Sequence, residues 1–214
     1  MNSPGPTMLV NYHPASTEPE IIDLQALTEC GFPVARMVVV PSAVEEEFYR
    51  LNNLAVQLEA HFAGIDPSDP DDEDIEDLAP GAEVLVNGRY LLDEFIDRFY
   101  ELISSLPDDV RVRRPGENGS SGRGGRGSLL SVKRAWSSDW LFEPLWARLS
   151  SGGPLLPTPR GLLLHAAALD PLPHALARDA SALLGKPLSL FGEPATGISR
   201  IIELPASGRV RDRE

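Results

Sequence analysis

The chain has 214 residues, 42% of them apolar, which is enough for a packed core and argues against wholesale disorder. Its net charge of −13 is unevenly spread: 23 acidic and 4 basic residues precede Arg111, whereas 9 acidic and 15 basic residues run from Arg111 to the end. The acidity of the first half argues against nucleic acid or anionic membrane as its partner, and the single cysteine, Cys30, excludes an internal disulfide.

Residues 1–14 carry no basic segment followed by a long apolar run. The longest apolar stretch, Leu162–Leu169, is interrupted by His165 and is far too short to span a bilayer. A cytoplasmic protein with no membrane partner is expected.

In chain order, Thr7–Asn11 is a candidate strand. A helix starts near Ser16-Thr17-Glu18-Pro19, carries Ile21, Ile22, Leu24 and Leu27, and stops at Gly31 and Pro33. Val34–Val40 is rich in β-branched residues and reads as a buried strand, so these elements form a candidate β-α-β unit. Ser42 and Glu45 then spell a capping box, with Ser42 at the helix start and Glu45 reaching back to it. Val44, Phe48, Leu51, Ala55, Leu58 and Phe62 follow at alternating steps of four and three, predicting one helix over 42–63. Beyond an acidic loop, Val84, Leu91, Phe95, Phe99, Leu102 and Leu106 keep the same phase and predict a second helix over 81–106. The two helices should pack as an antiparallel hairpin. A competing reading makes Glu83–Leu92 a β-hairpin, because Val86-Asn87-Gly88-Arg89 is a type I′ turn signal.

Asp109–Arg113 alternates like an edge strand. Residues 115–128 contain no large apolar side chain and many glycines, and read as a flexible Gly/Arg linker. Leu129–Trp136 and Leu141–Leu149 read as helices and Gly161–Ala167 as a buried strand. A helix through Leu172, Leu176, Ala180 and Leu183 ends at Gly185, with strands at Leu188–Phe191 and Ser199–Leu204. Strand, helix and strand at this spacing favour a parallel crossover. The expectation is a mixed α/β protein: an acidic portion over 1–114 containing the helical hairpin, a linker over 115–128, a basic-leaning portion over 129–205 with a small β-α-β unit, and a disordered tail over 206–214.

The motifs carry little chemistry. Gly122-Arg-Gly-Gly-Arg-Gly127 formally matches the dinucleotide fingerprint, which needs a strand directly before it and a helix directly after it. The last upstream strand signal is near Arg113, so no cofactor is assigned. The same tract looks like an Arg-Gly segment that pairs with phosphates and stacks on bases. With it, Arg111, Arg113, Arg114, Arg123, Arg126, Lys133 and Arg134 make a candidate nucleic-acid contact. Trp136, Trp140 and Trp146 fall within eleven residues and form a candidate protein-binding cluster. The carboxylates of Asp66–Asp77 do not meet the EF-hand pattern, since Asp74 stands where Gly is needed and Pro80 where Glu is needed. His13, His61, His165 and His174 have no zinc-site spacing.

Pro159-Arg-Gly-Leu-Leu-Leu-His165 resembles the strand that enters the nucleotide loop of AAA-type ATPases, with the following helix, Gly185 and the next strand in matching order. Where that family has a Gly-rich loop ending in Lys-Ser/Thr, this chain has Ala166-Ala-Ala-Leu-Asp-Pro-Leu-Pro173, with neither glycine to wrap phosphate nor lysine to neutralise it. The resemblance therefore implies an inactive relative that keeps the fold without ATP hydrolysis. The leading expectation is a non-enzymatic adaptor or regulator with no cofactor and no metal, binding a protein partner or a second copy of itself. Nucleic acid is the alternative partner.

Overall fold

The structure, a computed structural model, describes residues 18–66 and 70–205. It is mixed α/β, with eight α-helices and two antiparallel sheets among the described residues. The first half contains α1 (Pro19–Glu29), β1 (Met37–Val40), α2 (Ser42–Leu51), α3 (Leu54–His61), α4 (Asp72–Asn87) and α5 (Asp93–Ile103). The hairpin of β2 (Asp109–Arg113) and β3 (Ser120–Arg123) leads into α6 (Gly124–Ser137), a 3₁₀ turn (Ser138–Trp140) and α7 (Phe142–Ser150). The chain closes with β4 (Leu162–Ala166), β5 (Asp170–Pro171), α8 (His174–Leu184), β6 (Leu188–Glu193) and β7 (Gly197–Glu203). No helix among the described residues is long and apolar enough to cross a membrane.

The larger sheet runs β1-β4-β2-β3 and the smaller β5-β6-β7. The larger one is the middle layer of the molecule. Val38, Val40, Leu162, Leu164, Val110 and Val112 face one apolar core, shared with helices α2 to α7. Met37, Val39 and Leu163 face a second core, built with α1, α8 and the small sheet. Burial on both faces explains why Met-Val-Val-Val and Leu-Leu-Leu-His-Ala read as unbroken apolar runs. Every pairing in the larger sheet is antiparallel, with Val38 opposite Leu164 and Val112 opposite Leu164 on the other side.

Three expectations are corrected here. The parallel crossover fails because β4 lies between β1 and β2, while β6 belongs to the other sheet. The fold implied by the ATPase resemblance fails with it, and the segment after β4 forms the short strand β5 against β6 instead of a phosphate loop. Third, residues 115–128 are not a flexible linker between two portions. They form a turn, then β3, then the first turns of α6, and strands from both halves of the chain share one sheet. The glycines there serve close approach. A Cβ on Gly122 would lie 2.5 Å from the Gly127 carbonyl, and one on Gly125 would lie 2.7 Å from the Tyr100 ring. The candidate strand at Thr7–Asn11 and the tail over 206–214 lie outside the described residues.

The helical hairpin is also broken more finely than its heptads suggest. The helix over 42–63 is two helices, because Asn53 takes a left-handed conformation, φ 50°, that asparagine tolerates better than most residues. The second helix begins earlier than residue 81. Asp71 accepts a hydrogen bond from the Glu73 amide, and Asp72, Glu73 and Asp74 occupy the first turn, where the helix dipole favours carboxylates. It ends at Asn87 with Gly88 as its cap, so Val86–Arg89 is neither a β-hairpin nor a continuous helix. The break resets the phase: Ile75, Ala79, Ala82 and Val86 are buried, whereas Val84, placed on the expected seam, is 70% exposed.

Candidate protein-docking groove

Local sequence builds one apolar groove on the surface of the first half. In α5, Phe95, Phe99 and Leu102 recur at helical spacing on one side, while Asp93, Glu94, Asp97 and Glu101 lie on the solvent side. In α2, Val44, Phe48 and Leu51 do the same. The two helices stand apart over β1, leaving a groove of about 290 Å³ floored by Val38 and Val40 and walled by Val44, Phe95, Phe99 and Leu102. A second hollow of about 270 Å³ continues from it through shared Val44, Leu92 and Phe95 to Phe48, Leu51 and Tyr90.

Polar contacts fix the far end of this groove. The Asn52 side chain donates to the Phe48 carbonyl at 2.9 Å and to the Tyr90 carbonyl at 3.0 Å, tying the α2–α3 corner to the α4–α5 loop. Gln57 donates to the Asn52 carbonyl at 2.7 Å and accepts from Arg89. The Tyr90 ring is thereby held out in solvent, 88% exposed, beside Leu92 at 46% and Leu51 at 43%. Glu47, Glu94 and Arg98 stand at the rim, with Glu47 accepting from Arg50 and Arg98 donating to Glu101. The Arg50 hydrogen bond holds the Glu47 carboxyl below its ordinary pKa.

The expected site residues scatter. Arg113 and Arg114 are buried and cannot reach a nucleic acid as they stand. Arg113 donates to both oxygens of Glu20 at 2.7 and 2.8 Å, to the Ser199 carbonyl and to Nε2 of His165 at 3.0 Å. Glu20 also accepts from the Gly116 and Ile201 amides. Burial alone would raise the Glu20 pKa, but Arg113 and these amides outweigh it and hold the carboxyl below its ordinary value. Since Arg113 can only donate, His165 carries its proton on Nδ1 and gives it to the Ala166 carbonyl at 2.7 Å. Burial and the neighbouring Arg113 charge push the His165 pKa down to about 4.

Arg114 donates to both oxygens of Glu45, at 3.0 and 2.8 Å, and also pairs with Asp139. This overturns the capping box. Glu45 turns inward to Arg114, the N-cap of α2 is Pro41, and no side chain caps that end. Burial raises the Glu45 pKa by more than Arg114 lowers it.

Arg111 is half-buried, donating to the carbonyls of Ala167 and Asn118. Arg123, Arg126 and Arg134 are exposed and Lys133 is half-buried, so the basic surface that remains lies along β3 and α6. A strand and a helix do flank the fingerprint, but its first glycine, Gly122, lies inside β3 and Gly124 opens α6. The strand is also an antiparallel edge, and Gly122 and Gly125 are occupied by packing against the chain itself.

The tryptophan cluster does not form a surface. Trp136 and Trp140 are fully buried core anchors, with Trp136 packed 4.9 Å from the Phe48 ring and Trp140 donating to the Tyr49 hydroxyl at 2.7 Å. Burying rings of this size contributes about 1.5–3 kcal/mol each, which explains why they point inward. Trp146 is half-buried and stacks on Phe142. Among the described residues no three His, Cys, Asp or Glu side chains are grouped as a metal would need.

Sequence reasoning passed over the groove and the carboxylate partners of the arginines. Two signals were available. Tyr90-Leu91-Leu92 is an apolar run in a loop, where polar residues are usual. Glu20 falls on the same helical face as Leu24 and Leu27, so a charge stands on an apolar seam. The chain matches no model of a known protein family and no curated protein.

Proposed function

We propose that this protein is a non-enzymatic adaptor or regulator, acting in the cytoplasm by protein contact through the groove between α2 and α5. The observation that carries the reading is the exposure of Tyr90, Leu92 and Leu51 along one continuous apolar groove. Apolar surface gathered in this way costs solubility unless a partner covers it. The free, exposed thiol of Cys30 is consistent with a reducing compartment. The test is site-specific photocrosslinking in cells, with Tyr90→p-benzoylphenylalanine on the groove and Arg178→p-benzoylphenylalanine on the exposed side of α8 as the control position. An adduct of defined mass formed from Tyr90, absent from the control and abolished by Leu92→Asp, is the expected result. The same adducts from both positions, or none, would overturn it.

A second reading rests on the exposed arginines of β3 and α6. Arg123 and Arg126 flank the start of α6, and Arg126, Leu130 and Lys133 share one face of that helix. Such a face could track a phosphate backbone. Fluorescence anisotropy of labelled single-stranded RNA should then show salt-sensitive binding that an Arg123→Ser, Arg126→Ser double variant loses. Absence of binding at low salt would remove this reading.

A further inference from the structure

From the shape and charge of the groove we infer the partner's chemistry: a basic, amphipathic helical segment of another protein. This inference rests on the docking reading above and sharpens it. Both walls are helices and the floor is a strand, so the groove is a straight trough instead of a closed pocket. From Leu92 to Leu102 the α5 wall runs about 15 Å at the α-helical rise, close to three turns of a docked helix. Three turns present apolar anchors at i, i+3 or i+4, and i+7, the spacing that a helix laid in a groove uses. The trough offers Leu51 and Tyr90 at one end, Leu92 and Phe95 in the middle, and Phe99 and Leu102 at the other.

Charge then selects among helices. The solvent sides of α2 and α5 carry Glu46, Glu47, Asp93, Glu94, Asp97 and Glu101, opposed by Arg50 and Arg98. An apolar helix flanked by Lys or Arg would meet that rim with opposite charge, which accelerates encounter and rejects acidic competitors. A second copy of this chain would bring the same acidic rim against itself, so self-association through this surface is disfavoured on the same ground.

The test uses the full chain and three fluorescein-labelled 18-residue probes. The first has leucines at helical anchor spacing and lysines elsewhere. The second replaces each lysine by glutamate. The third keeps the composition of the first but scrambles the leucines off one face. The first probe should bind, and the second and third should not. The Glu47→Lys, Glu94→Lys double variant should weaken the first probe roughly tenfold at low salt, since each reversed rim charge removes an attraction and adds a repulsion. Leu92→Asp should weaken it by a similar factor or more, as an anchor contact is lost. A control reversal at the start of α4, Asp72→Lys with Glu73→Lys, should leave binding within about twofold.

Equal loss in the α4 control would mean that the probe reads only net charge, and would overturn the inference. So would equal binding of the scrambled or acidic probe, or concentration-dependent dimerisation abolished by Leu92→Asp. The two readings fail separately. A groove-specific crosslink from Tyr90 with no preference for the basic helical probe would sink this inference and leave the docking surface standing. Loss of both would remove the surface itself.

Discussion

Arg113 closes the strand β2 and Arg114 follows it, and Arg123 and Arg126 sit ten to thirteen residues on, at the end of its partner strand and in the first turn of α6. They are one residue type in one short stretch of chain, yet their fates are opposite. Arg113 and Arg114 are fully buried between carboxylates, whereas Arg123 and Arg126 stand in solvent. Position in the sheet decides this. β2 lies between β4 and β3, so the end of β2 is covered by α1, α2 and the 3₁₀ turn, which supply Glu20, Glu45 and Asp139. β3 is an edge strand, and among the described residues the one carboxylate paired with Arg123 is Asp109, 3.9 Å away and itself exposed. The lesson is that a run of arginines marks a charged surface only where the fold brings no acids to it. The two buried arginines bind Glu20 and Glu45 of the acidic half together with Asp139 and the Ser199 and Arg160 carbonyls of the second half, and so they hold the two halves of the chain together.

The sharpest way to break the contrast is Arg113→Ala. It leaves Glu20 buried beside an empty space, and removing one member of a buried pair costs about 3–5 kcal/mol. The midpoint of urea unfolding should fall accordingly. Replacing both partners, Arg113→Met with Glu20→Leu, should recover only part of the loss. The buried Ile201 amide, which donates to Glu20 at 2.9 Å, would be left without an acceptor at a cost of about 1–3 kcal/mol, whereas the Gly116 amide belongs to an exposed turn and would turn to water. Full recovery in the double variant would show that Glu20 serves only as a counter-ion.

A smaller effect comes from pH. His165 has a folded pKa of about 4 against an ordinary value of 6.5. Its folded value is depressed, so the unfolded chain binds the proton first as pH falls. The stability that depends on neutral His165 is complete above the unfolded value and is lost as pH drops toward the folded one. Between about pH 7 and pH 5 the loss amounts to about 2 kcal/mol. Protonation would put an N–H on Nε2, facing the N–H that Arg113 now donates to it. The difference between wild type and His165→Gln isolates this contribution from Glu20, whose stabilisation is lost only as pH falls below the ordinary carboxylate value toward its own lowered pKa, and from Glu45, whose raised pKa acts with the opposite sign. Parallel stability curves for the two proteins would show that His165 does not titrate between the two states.

The same contrast explains what was legible in the sequence. Met37–Val40 and Leu162–Ala166 could be read as buried strands because burial on two faces leaves an unbroken apolar run. The apolar face of α5 was legible from its spacing. Arg113 was not, because its carboxylate lies 93 residues away, and the partners of Arg114 lie 69 and 25 residues away. Glu45 satisfied a local capping rule and was claimed by a distant arginine instead, since a bidentate charged pair outweighs a single N-terminal cap. The glycines of 115–128 looked like slack in the chain, yet Gly122 and Gly125 are positions where a side chain would strike Gly127 or Tyr100. Composition reports freedom of the backbone but not the neighbour that uses it. The groove shows the converse: its walls were legible as seams, but that they stand open at Tyr90 and Leu92 depends on the Asn53 break and the Asn52 contacts.

The smallest expected effect falls on the exposed arginines. Arg123→Ser with Arg126→Ser should change unfolding stability by less than about 0.5 kcal/mol, the usual range for surface substitutions away from a packed contact. Arg123 faces Asp109 across 3.9 Å with both side chains mostly in water, a geometry in which screening and side-chain entropy cancel most of the attraction. Arg126 lies on the outer face of α6, and serine in the first turn of a helix is tolerated without a strained backbone. This prediction governs how any binding result with the same variant is read. If stability is unchanged while RNA binding disappears, the basic edge is a contact surface. A loss of several kcal/mol would mean that these arginines, like Arg113 and Arg114, are held by the fold, and the contrast between the two pairs would collapse.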